Sequence, residues 1–284
     1  MTAQLDRARR FRSLHNAAAP LALANVWDAA GARLVAAAGV EAIATTSAGV
    51  AWSLGASDGD GLDRDQAVAA IARIVASVSV PVTADIETGF ADTAAEVSET
   101  IKQVIAAGAV GVNLEDVHPE SVAALRPTIE QAERIAAARA AADATGIPLF
   151  INARIDAYLR AVGPESARFQ ETLDRAGAYL EAGADGIFVP GVADQAVITA
   201  LTEGIAAPVN ILVEPGSPTV AELSKCGVAR VSLGSAIAEA AYAVVRRTAE
   251  QLITTGTYAT QAESVDYQEL NDLMHPSIGT SAKE

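Results

Sequence analysis

The sequence predicts a single α/β domain, a (β/α)8 barrel of TIM type, from its length, a strand repeat and a set of glycines. A chain of 284 residues falls in the range in which α/β barrels form one domain. Short β-branched runs recur roughly every thirty to forty residues, each followed by an alanine-rich helical pattern. Most of the runs follow a glycine that can end a helix and turn the chain into a strand. This alternation is typical of parallel strands covered by helices.

We expect eight strands: LALAN (21–25), AIATTS (42–47), VPVTADIE (80–87), VGVNLED (110–116), PLFINARID (148–156), GIFVP (186–190), PVNILVE (208–214) and ARVSLGS (229–235). The barrel then occupies about residues 20–255, and an extra C-terminal helical segment follows at about 256–284. The helical patterns after the eighth strand, AIAEAAYAVVRRTAEQLITTG and AESVDYQELNDLMH, are together longer than barrel closure requires, so we expect them to pack on another subunit. A doubly wound open sheet is the alternative fold, which the lack of a GxGxxG motif after the first strand disfavours.

Composition disfavours several classes of protein. A formal net charge of −15 argues against binding to nucleic acid or to an anionic membrane, although a local arginine and a cation can still create an anion site. The single cysteine, Cys226, excludes a disulfide framework and indicates a reducing, cytoplasmic compartment. The basic N-terminus resembles a weak signal peptide, but its short apolar run is more typical of a first strand. The most apolar window is interrupted by polar residues and does not predict a membrane span.

The carboxyl ends of barrel strands carry the functional residues, so the last residues of each run are the informative ones. Side chains alternate along a strand, and the apolar set must face the helices, which directs the polar set into the barrel. The residues that this rule brings to one mouth of the barrel are Ser47, Asp85, Glu87, Glu115, Asn152 and Arg154.

Three carboxylates at one mouth repel each other unless a cation or protons intervene. Mg²⁺ takes oxygen ligands and keeps several of its waters, so Asp85, Glu87 and Glu115 form a candidate metal site. The alternative is that these acids pair with Arg154 and with backbone amides. Asp92, in the turn that follows, is expected to cap the next helix.

Other chemistries are less favoured by the pattern. Lys102, Lys225 and Lys283 do not lie at predicted strand ends, which argues against Schiff-base chemistry. Cys226 precedes the eighth strand, at the opposite face of the barrel, and suits a structural role. His118 follows the fourth strand and is either an acid–base group or a solvated loop histidine.

Five motifs then resemble a known family in order and spacing: TTSAGVAWSLG, VTADIETGF, GVNLEDV, INARIDAYL and VSLG. They resemble the isocitrate lyase/phosphoenolpyruvate mutase superfamily, including methylisocitrate lyase and the carboxyphosphonate and phosphonopyruvate mutases, over roughly residues 20–240. The resemblance implies an α/β barrel, a requirement for Mg²⁺ or Mn²⁺, a pyruvate-enolate-like intermediate, and a homotetramer that exchanges C-terminal helices. The substrates would be small 2-oxo or 2-hydroxy carboxylates.

The resemblance also implies roles for individual residues. The metal would be held by Asp85, directly or through water, with Glu87 and Glu115 completing its water shell. The implied catalytic residues are Asp58, Glu115, Arg154 and His118. The implied substrate-binding residues are Ser47, Ala48, Gly49, Trp52, Asn152, Arg154, Asn210 and Ser232.

The segment after Asp116 departs from the family pattern. The isocitrate and methylisocitrate lyases carry K-[KR]-C-G-H there, with a catalytic Cys, and the phosphonate mutases carry Lys and Asn. This chain has VHPESVAALRPTIEQAERI, without Cys, Lys or Asn. The proton donor is therefore open among His118, Glu120 and a metal-bound water. The most favoured function is a carbon–carbon lyase that releases a 2-oxo acid. The alternatives are a phosphonopyruvate or carboxyphosphonate mutase or hydrolase, and a protein that binds a 2-oxo acid without converting it.

Overall fold

The computed structural model describes residues 2–118, 121–259 and 264–275, with only the backbone for residues 121–123. Glu120, one of the three possible proton donors, lies outside the described residues. The strands are β1 (Leu21–Leu23), β2 (Asn25–Val26), β3 (Ile43–Thr45), β4 (Val82–Asp85), β5 (Gly111–Glu115), β6 (Val117–His118), β7 (Ser121–Leu125), β8 (Phe150–Arg154), β9 (Gly186–Val189), β10 (Val209–Leu212) and β11 (Arg230–Ser232). The helices are α1 (Thr2–Leu14), α2 (Ala29–Ala37), α3 (Ser47–Ser53), α4 (Arg64–Ser77), α5 (Ala94–Ala106), α6 (Thr128–Thr145), α7 (Glu165–Glu181), α8 (Gln195–Gly204), α9 (Val220–Lys225), α10 (Ala236–Thr255) and α11 (Tyr267–Met274).

The main sheet is the predicted parallel barrel. Its strand order is β1-β11-β10-β9-β8-β5-β4-β3-β2, and the pairings are parallel. Only Ala24 separates β1 from β2, so the order begins and ends on the first strand and the sheet nearly closes on itself. Each predicted strand therefore has a counterpart among the described residues, with the first one split in two.

The division between apolar and polar faces follows the predicted alternation. On β5, Val112 and Leu114 are fully buried in the hydrophobic core that the helices share with the sheet. On α5, apolar residues on one face, such as Ile101 and Val104, are buried in the same core. Burial of each such side chain contributes about 1.5–3 kcal/mol to the free energy that favours folding. This outer packing holds the polar residues of β5 on the inner side.

Helix α1 lies against the amino-terminal end of the barrel, opposite the predicted site. Phe11 makes an edge contact with Phe150, the first residue of β8, at a ring distance of 5.8 Å. His15 stacks on the same ring at 3.8 Å. Burial, together with the nearby Arg230, lowers the pKa of His15 to about 3, so His15 is neutral in this aromatic cluster.

Thr93, and not Asp92, caps helix α5. The Thr93 Oγ1 accepts from the Glu96 N–H at 3.3 Å, and the Glu96 carboxylate accepts from the Thr93 N–H at 2.9 Å. The expectation for Asp92 was wrong by one residue. A threonine followed by a glutamate three positions later forms a capping box, in which each of the two side chains satisfies a backbone donor of the first turn.

An antiparallel hairpin, β6–β7, rises between β5 and α6 and was not predicted. Its base is anchored at Asp116, whose Oδ2 accepts from Arg175 Nη1 at 3.2 Å and from the Tyr179 hydroxyl at 2.9 Å. The Arg126 N–H also donates to the Asp116 carbonyl at 2.7 Å. His118 lies in β6 and is half-buried. Among the described residues, the segment that departs from the family pattern thus begins with the two strands of this hairpin and continues into α6.

The last two helices differ in how they are covered. Helix α11 packs on α2 of its own chain, where Arg33 Nη1 donates to the carbonyls of Leu273 at 2.5 Å and His275 at 2.9 Å. Of the residues of α10, all described, only Ala238 is buried.

Within the described ranges, none of the helices combines the length and apolar character needed to cross a lipid bilayer.

We propose that a second subunit covers α10. Val245 and Ile253 are 64% and 83% exposed, an unusual position for two large apolar side chains on one helix. We expect a homotetramer in light scattering, and a smaller species when both residues are replaced by glutamate. Ile129→Glu, at a residue that is 76% exposed on α6, is the matched control and should leave the mass unchanged. A monomeric parent protein would contradict the proposal.

Candidate active site

The strand register aligns the predicted polar residues inside the barrel. Asp85 pairs with Asn113, and Asn113 pairs with Asn152, so the three residues share one level of neighbouring parallel strands. Glu115 and Arg154 form the next inward pair, closer to the carboxyl ends. Asn152 Nδ2 donates to Asn113 Oδ1 at 2.9 Å, which places both amides in the interior.

Asp85 is the last residue of β4, and only one of its two carboxylate oxygens accepts a hydrogen bond among the described contacts. Its Oδ2 accepts from the Ser47 hydroxyl at 3.0 Å, and its backbone N–H donates to Thr45 Oγ1 at 2.9 Å. Its Oδ1 is buried and has no hydrogen-bond partner within the described part of the chain. Burial raises the pKa of Asp85 despite the opposing effect of Arg154. An unpartnered buried carboxylate oxygen is the kind of group that a cation stabilises.

Ser47 reaches Asp85 from a helix and not from a strand. Strand β3 ends at Thr45, and Thr46 caps α3, so Ser47 is the first helical residue. Ser47, Ala48 and Gly49 are all buried. A Cβ atom at Gly49 would lie 2.8 Å from Thr46 Cγ2 and 2.9 Å from the Cβ of Trp27, so only glycine fits there. The predicted SAG segment therefore packs tightly beside Asp85.

Glu87 lies beyond the end of β4, in a left-handed backbone conformation with φ of 52°. Its carboxylate accepts from the backbone N–H of Asp60, whose own carboxylate accepts from the Thr88 hydroxyl. Burial raises the pKa of Glu87 to about 8, and the charges of Asp58, Asp60 and Asp85 add to this increase. Asp58 is exposed in the same segment. Asp60 was not predicted as part of the site, since a DGD turn gives no signal of its tertiary contacts.

Arg154 is engaged by two carboxylates. Its Nη1 lies 2.7 Å from Glu115 Oε2, and its Nε and Nη2 lie 2.6 and 2.9 Å from the two oxygens of Asp156. Glu115 is buried, and burial raises its pKa well above the ordinary value although Arg154 opposes the increase. The nearby charges of Asp156, Asp85 and Glu87 raise it further. The pairing that we considered as the alternative to a metal is therefore present for Glu115 through Arg154 and for Glu87 through the Asp60 N–H, while Asp85 Oδ1 has no such partner among the described contacts.

The donor set fits a cation held partly through water. Among the described residues, no three His, Cys, Asp or Glu side chains come close enough to form a ready metal cage. Asp85, Glu87 and Ser47 line a cavity of about 10 Å³ together with apolar side chains such as Phe90 and Ile71, and this cavity has room for about one water molecule. Mg²⁺ commonly binds through one or two carboxylates and keeps several waters. Asp85 Oδ1 offers such a single direct ligand.

The opposite wall contains a residue that the sequence analysis missed, Arg230. It is fully buried at the start of β11, and it donates from Nε to Ser232 Oγ at 3.3 Å and from Nη2 to Asn113 Oδ1 at 3.2 Å. Ser232 in turn donates to Asn210 Oδ1 at 3.1 Å. Burial lowers the pKa of Arg230 to about 9, with Asp85 opposing the decrease. Alternation in the ARVS run, with Val231 outward, is the signal that could have identified it.

Trp52 packs against α10. It is 37% exposed, and its ring makes an edge contact with Tyr242 of α10 at 6.1 Å. Trp27 stacks on Tyr242 at 6.5 Å. Among the described residues, the structure groups Trp52 with these rings and outside the carboxylate cluster.

The fold and the site define the class of protein: a parallel α/β barrel with a cluster of carboxylates and an arginine at the carboxyl ends of its strands. Residues 11–253 match the family described as phosphoenolpyruvate phosphomutase. The chain belongs to this family, which confirms the resemblance seen in the five motifs.

Two relatives show how far the similarity extends. An uncharacterized protein of Mycobacterium tuberculosis (strain H37Rv) is 37% identical over 91% of this chain and 97% of its own length. The 2-methylisocitrate lyase of Escherichia coli (strain K12) is 32% identical over 71% of this chain and 68% of its own length.

Solved structures share the whole architecture. A candidate lyase or mutase of Burkholderia cenocepacia J2315 is 38% identical, with a TM-score of 0.90 over 98% of both chains. Phosphonopyruvate hydrolase, solved with oxalate and Mg²⁺, is 26% identical, with a TM-score of 0.81 over 94% of both chains. The barrel predicted from the strand repeat is thus the fold of this family.

Proposed function

We propose that this protein is a Mg²⁺-dependent carbon–carbon lyase that acts on a small 2-oxo or 2-hydroxy carboxylate and releases a 2-oxo acid. The observation that carries the proposal is the buried, unpartnered Oδ1 of Asp85, near two further carboxylates, Glu87 and Glu115. The similarity to 2-methylisocitrate lyase supports the reaction type. The similarity to phosphonopyruvate hydrolase, solved with oxalate and Mg²⁺, supports the cofactor and the ligand class.

In this proposal Asp85 holds the metal directly, and Glu87 and Glu115 hold its water shell. A bound divalent cation supplies positive charge that stabilises the oxygen on which negative charge develops during cleavage, as in a pyruvate-enolate-like intermediate. Mn²⁺ would satisfy the same oxygen ligands. The cluster would also lose much of its internal repulsion, because the cation offsets the charges of the three carboxylates.

The substrate is held in this proposal by groups on three sides of the mouth. Ser47, Ala48 and Gly49 would bind the carboxylate and carbonyl oxygens, from a segment whose position Gly49 secures by its close packing. Arg154 would neutralise the substrate by exchanging part of its contact with Glu115 or Asp156 for a substrate carboxylate. Asn152, Asn210 and Ser232 would line the interior, and Trp52 the rim.

The proton donor in the proposal is His118, Glu120 or a metal-bound water, and Asp58 is a further acid near the metal. Asp58 is exposed and close enough for its charge to raise the pKa of both Asp85 and Glu87. His118 lies on the β6–β7 hairpin, which is anchored at Asp116. Asp58 therefore lies near the carboxylate cluster, and His118 follows the strand that carries Glu115.

Release of a 2-oxo acid tests the proposal directly. Pure protein with Mg²⁺ is incubated with oxaloacetate, alkylmalates and methylisocitrate, and the 2-oxo acid is measured by coupled reduction. We expect turnover of at least one substrate, and loss of that turnover in Asp85→Ala. The lyase assignment fails if no substrate is converted faster than by Asp85→Ala.

Phosphorus–carbon chemistry is the second candidate, favoured by the similarity to phosphonopyruvate hydrolase along the whole chain. Phosphorus NMR with phosphonopyruvate separates it from the lyase, because the phosphonate resonance shifts or disappears on conversion. If oxo acids raise the melting temperature with Mg²⁺ but neither assay shows conversion, the protein is a binding protein for 2-oxo acids.

A further inference from the structure

We propose that Arg230 is a positioning residue, which orients the amides of Asn210 and Asn113 so that the barrel interior presents hydrogen-bond donors to an oxyanion. The inference rests on the proposed function, because it concerns how the same site recognises its substrate. It assigns a role to a buried residue that lies on the wall opposite the carboxylates.

Arg230 is a donor with neutral partners. A guanidinium group carries five N–H donors and no acceptor, so every hydrogen bond that it makes has a fixed direction. In the described structure, Arg230 donates to Ser232 Oγ and to Asn113 Oδ1, and its Nη1 is buried without a partner. None of these described partners is a carboxylate, so an ion pair at contact distance does not account for the burial of Arg230.

The first contact orients Asn210. The Ser232 hydroxyl has one proton, and because Oγ accepts from Arg230 Nε, that proton is free for Asn210 Oδ1. Arg230 Nε occupies one of the two acceptor positions of Oγ and directs the hydroxyl proton away from itself; a flipped Asn210 amide could donate to the second position, but the proton would then lose its acceptor, Asn210 Oδ1. The chain of bonds therefore turns the Asn210 carbonyl toward Ser232 and leaves its Nδ2 group, buried and unpartnered, for the interior.

The second contact orients Asn113 on the other side of the barrel. Its Oδ1 accepts both from Arg230 Nη2 at 3.2 Å and from Asn152 Nδ2 at 2.9 Å. Two donors on one carbonyl oxygen exclude the flipped amide, which would bring N–H groups against N–H groups. Arg230 thus sets the direction of amides on both β10 and β5.

The barrel interior therefore contains hydrogen-bond donors that have no acceptor among the described residues. Asn210 Nδ2 and Arg230 Nη1 are both buried without an acceptor, and such groups are costly until an acceptor arrives. A carboxylate or keto oxygen supplies acceptors, whereas an ammonium group does not. The geometry therefore favours a small oxyanion as the ligand and disfavours an amino acid bound through its amine.

Oxalate with saturating Mg²⁺ is the probe, and calorimetry measures its affinity. Ser232→Ala interrupts the chain of bonds but keeps the charge of Arg230, and we expect oxalate to bind about tenfold more weakly, as for one lost hydrogen bond. Ser232→Thr keeps the hydroxyl and should restore binding. Asn210→Asp replaces donors with acceptors and should weaken binding about a hundredfold or more. Ser98→Ala, at a half-buried serine on α5, is the matched control and should bind like the parent.

The outcomes separate the inference from the proposed function. If the parent binds oxalate and Ser232→Ala, Asn210→Asp and Arg230→Lys bind it equally well, the positioning role is wrong and the lyase proposal stands. Parent protein that does not bind oxalate with Mg²⁺ overturns both. Thermal unfolding is recorded for every variant. Should Arg230→Lys fail to fold, Arg230→Gln takes its place, because Ser232 is itself among the proposed substrate-binding residues and its variants alone do not isolate the role of Arg230.

Discussion

Asp85→Asn is expected to abolish metal-dependent turnover while the barrel stays folded. The substitution keeps the shape of the side chain and its contact with Ser47, but it removes the charge from the unpartnered Oδ1 position. We expect kcat/KM to fall by about a thousandfold or more, since stabilisation of developing charge is usually the largest catalytic contribution. Steady-state assays and a Mg²⁺ titration followed by calorimetry measure both effects.

The same variant separates function from stability. Removing this carboxylate lowers a desolvation cost but also removes the charge that offsets the burial of Arg230, so the metal-free protein should stay folded, which thermal unfolding measures. Asp174→Asn, at an exposed aspartate of α7, is the matched control and should leave both turnover and Mg²⁺ affinity unchanged. Metal-dependent turnover that survives in Asp85→Asn would show that Asp85 is not the ligand.

Glu87→Gln is expected to stabilise the metal-free protein at high pH. Burial raises the pKa of Glu87 from its ordinary 4.5 to about 8, so the folded protein holds this proton more tightly than the unfolded chain does. The stabilisation of the folded state by protonated Glu87 is therefore fully present below about pH 4.5, and it is lost as the pH rises through about 8. At pH 9 the parent must ionise Glu87 in the folded state, and the variant should be more stable by at most about 5 kcal/mol.

Urea unfolding in EDTA at pH 5, 7 and 9 measures this difference. The two proteins should have similar free energies of unfolding at pH 5, where Glu87 is protonated and resembles Gln, and should diverge as the pH rises. Mg²⁺ should narrow the gap by stabilising the ionised parent. Glu99→Gln, at an exposed position of α5, should show no such divergence. A Glu87→Gln variant that is less stable than the parent at pH 9 would mean that Glu87 is ionised and well compensated.

Residues inside strands were predictable from the sequence. Asp85, Glu115, Asn152 and Arg154 lie within β4, β5 and β8, where the period of two strictly separates the two faces. Their apolar neighbours enforce the choice of face, because exposing Val112 or Ile151 to the interior would remove them from the core.

Residues beyond the strand ends were less predictable, since alternation stops where the strand stops. Ser47 belongs to α3, and Glu87 has a positive φ, yet both still approach Asp85 through contacts that no local rule describes. Likewise, the pairing of Arg230 with Asn113 joins residues 117 positions apart and depends on closure of the barrel. The β6–β7 hairpin was missed because its anchor, Asp116, acts through tertiary contacts.

Calorimetric titration of oxalate into the parent protein, with and without Mg²⁺, tests the central claim most directly. The central claim is that the mouth of the barrel is a divalent-cation site that takes a small carboxylate. One oxalate per chain should therefore bind in the presence of Mg²⁺, and oxalate should bind much more weakly in EDTA. Oxalate that binds equally well with and without Mg²⁺, or in neither condition, would contradict it.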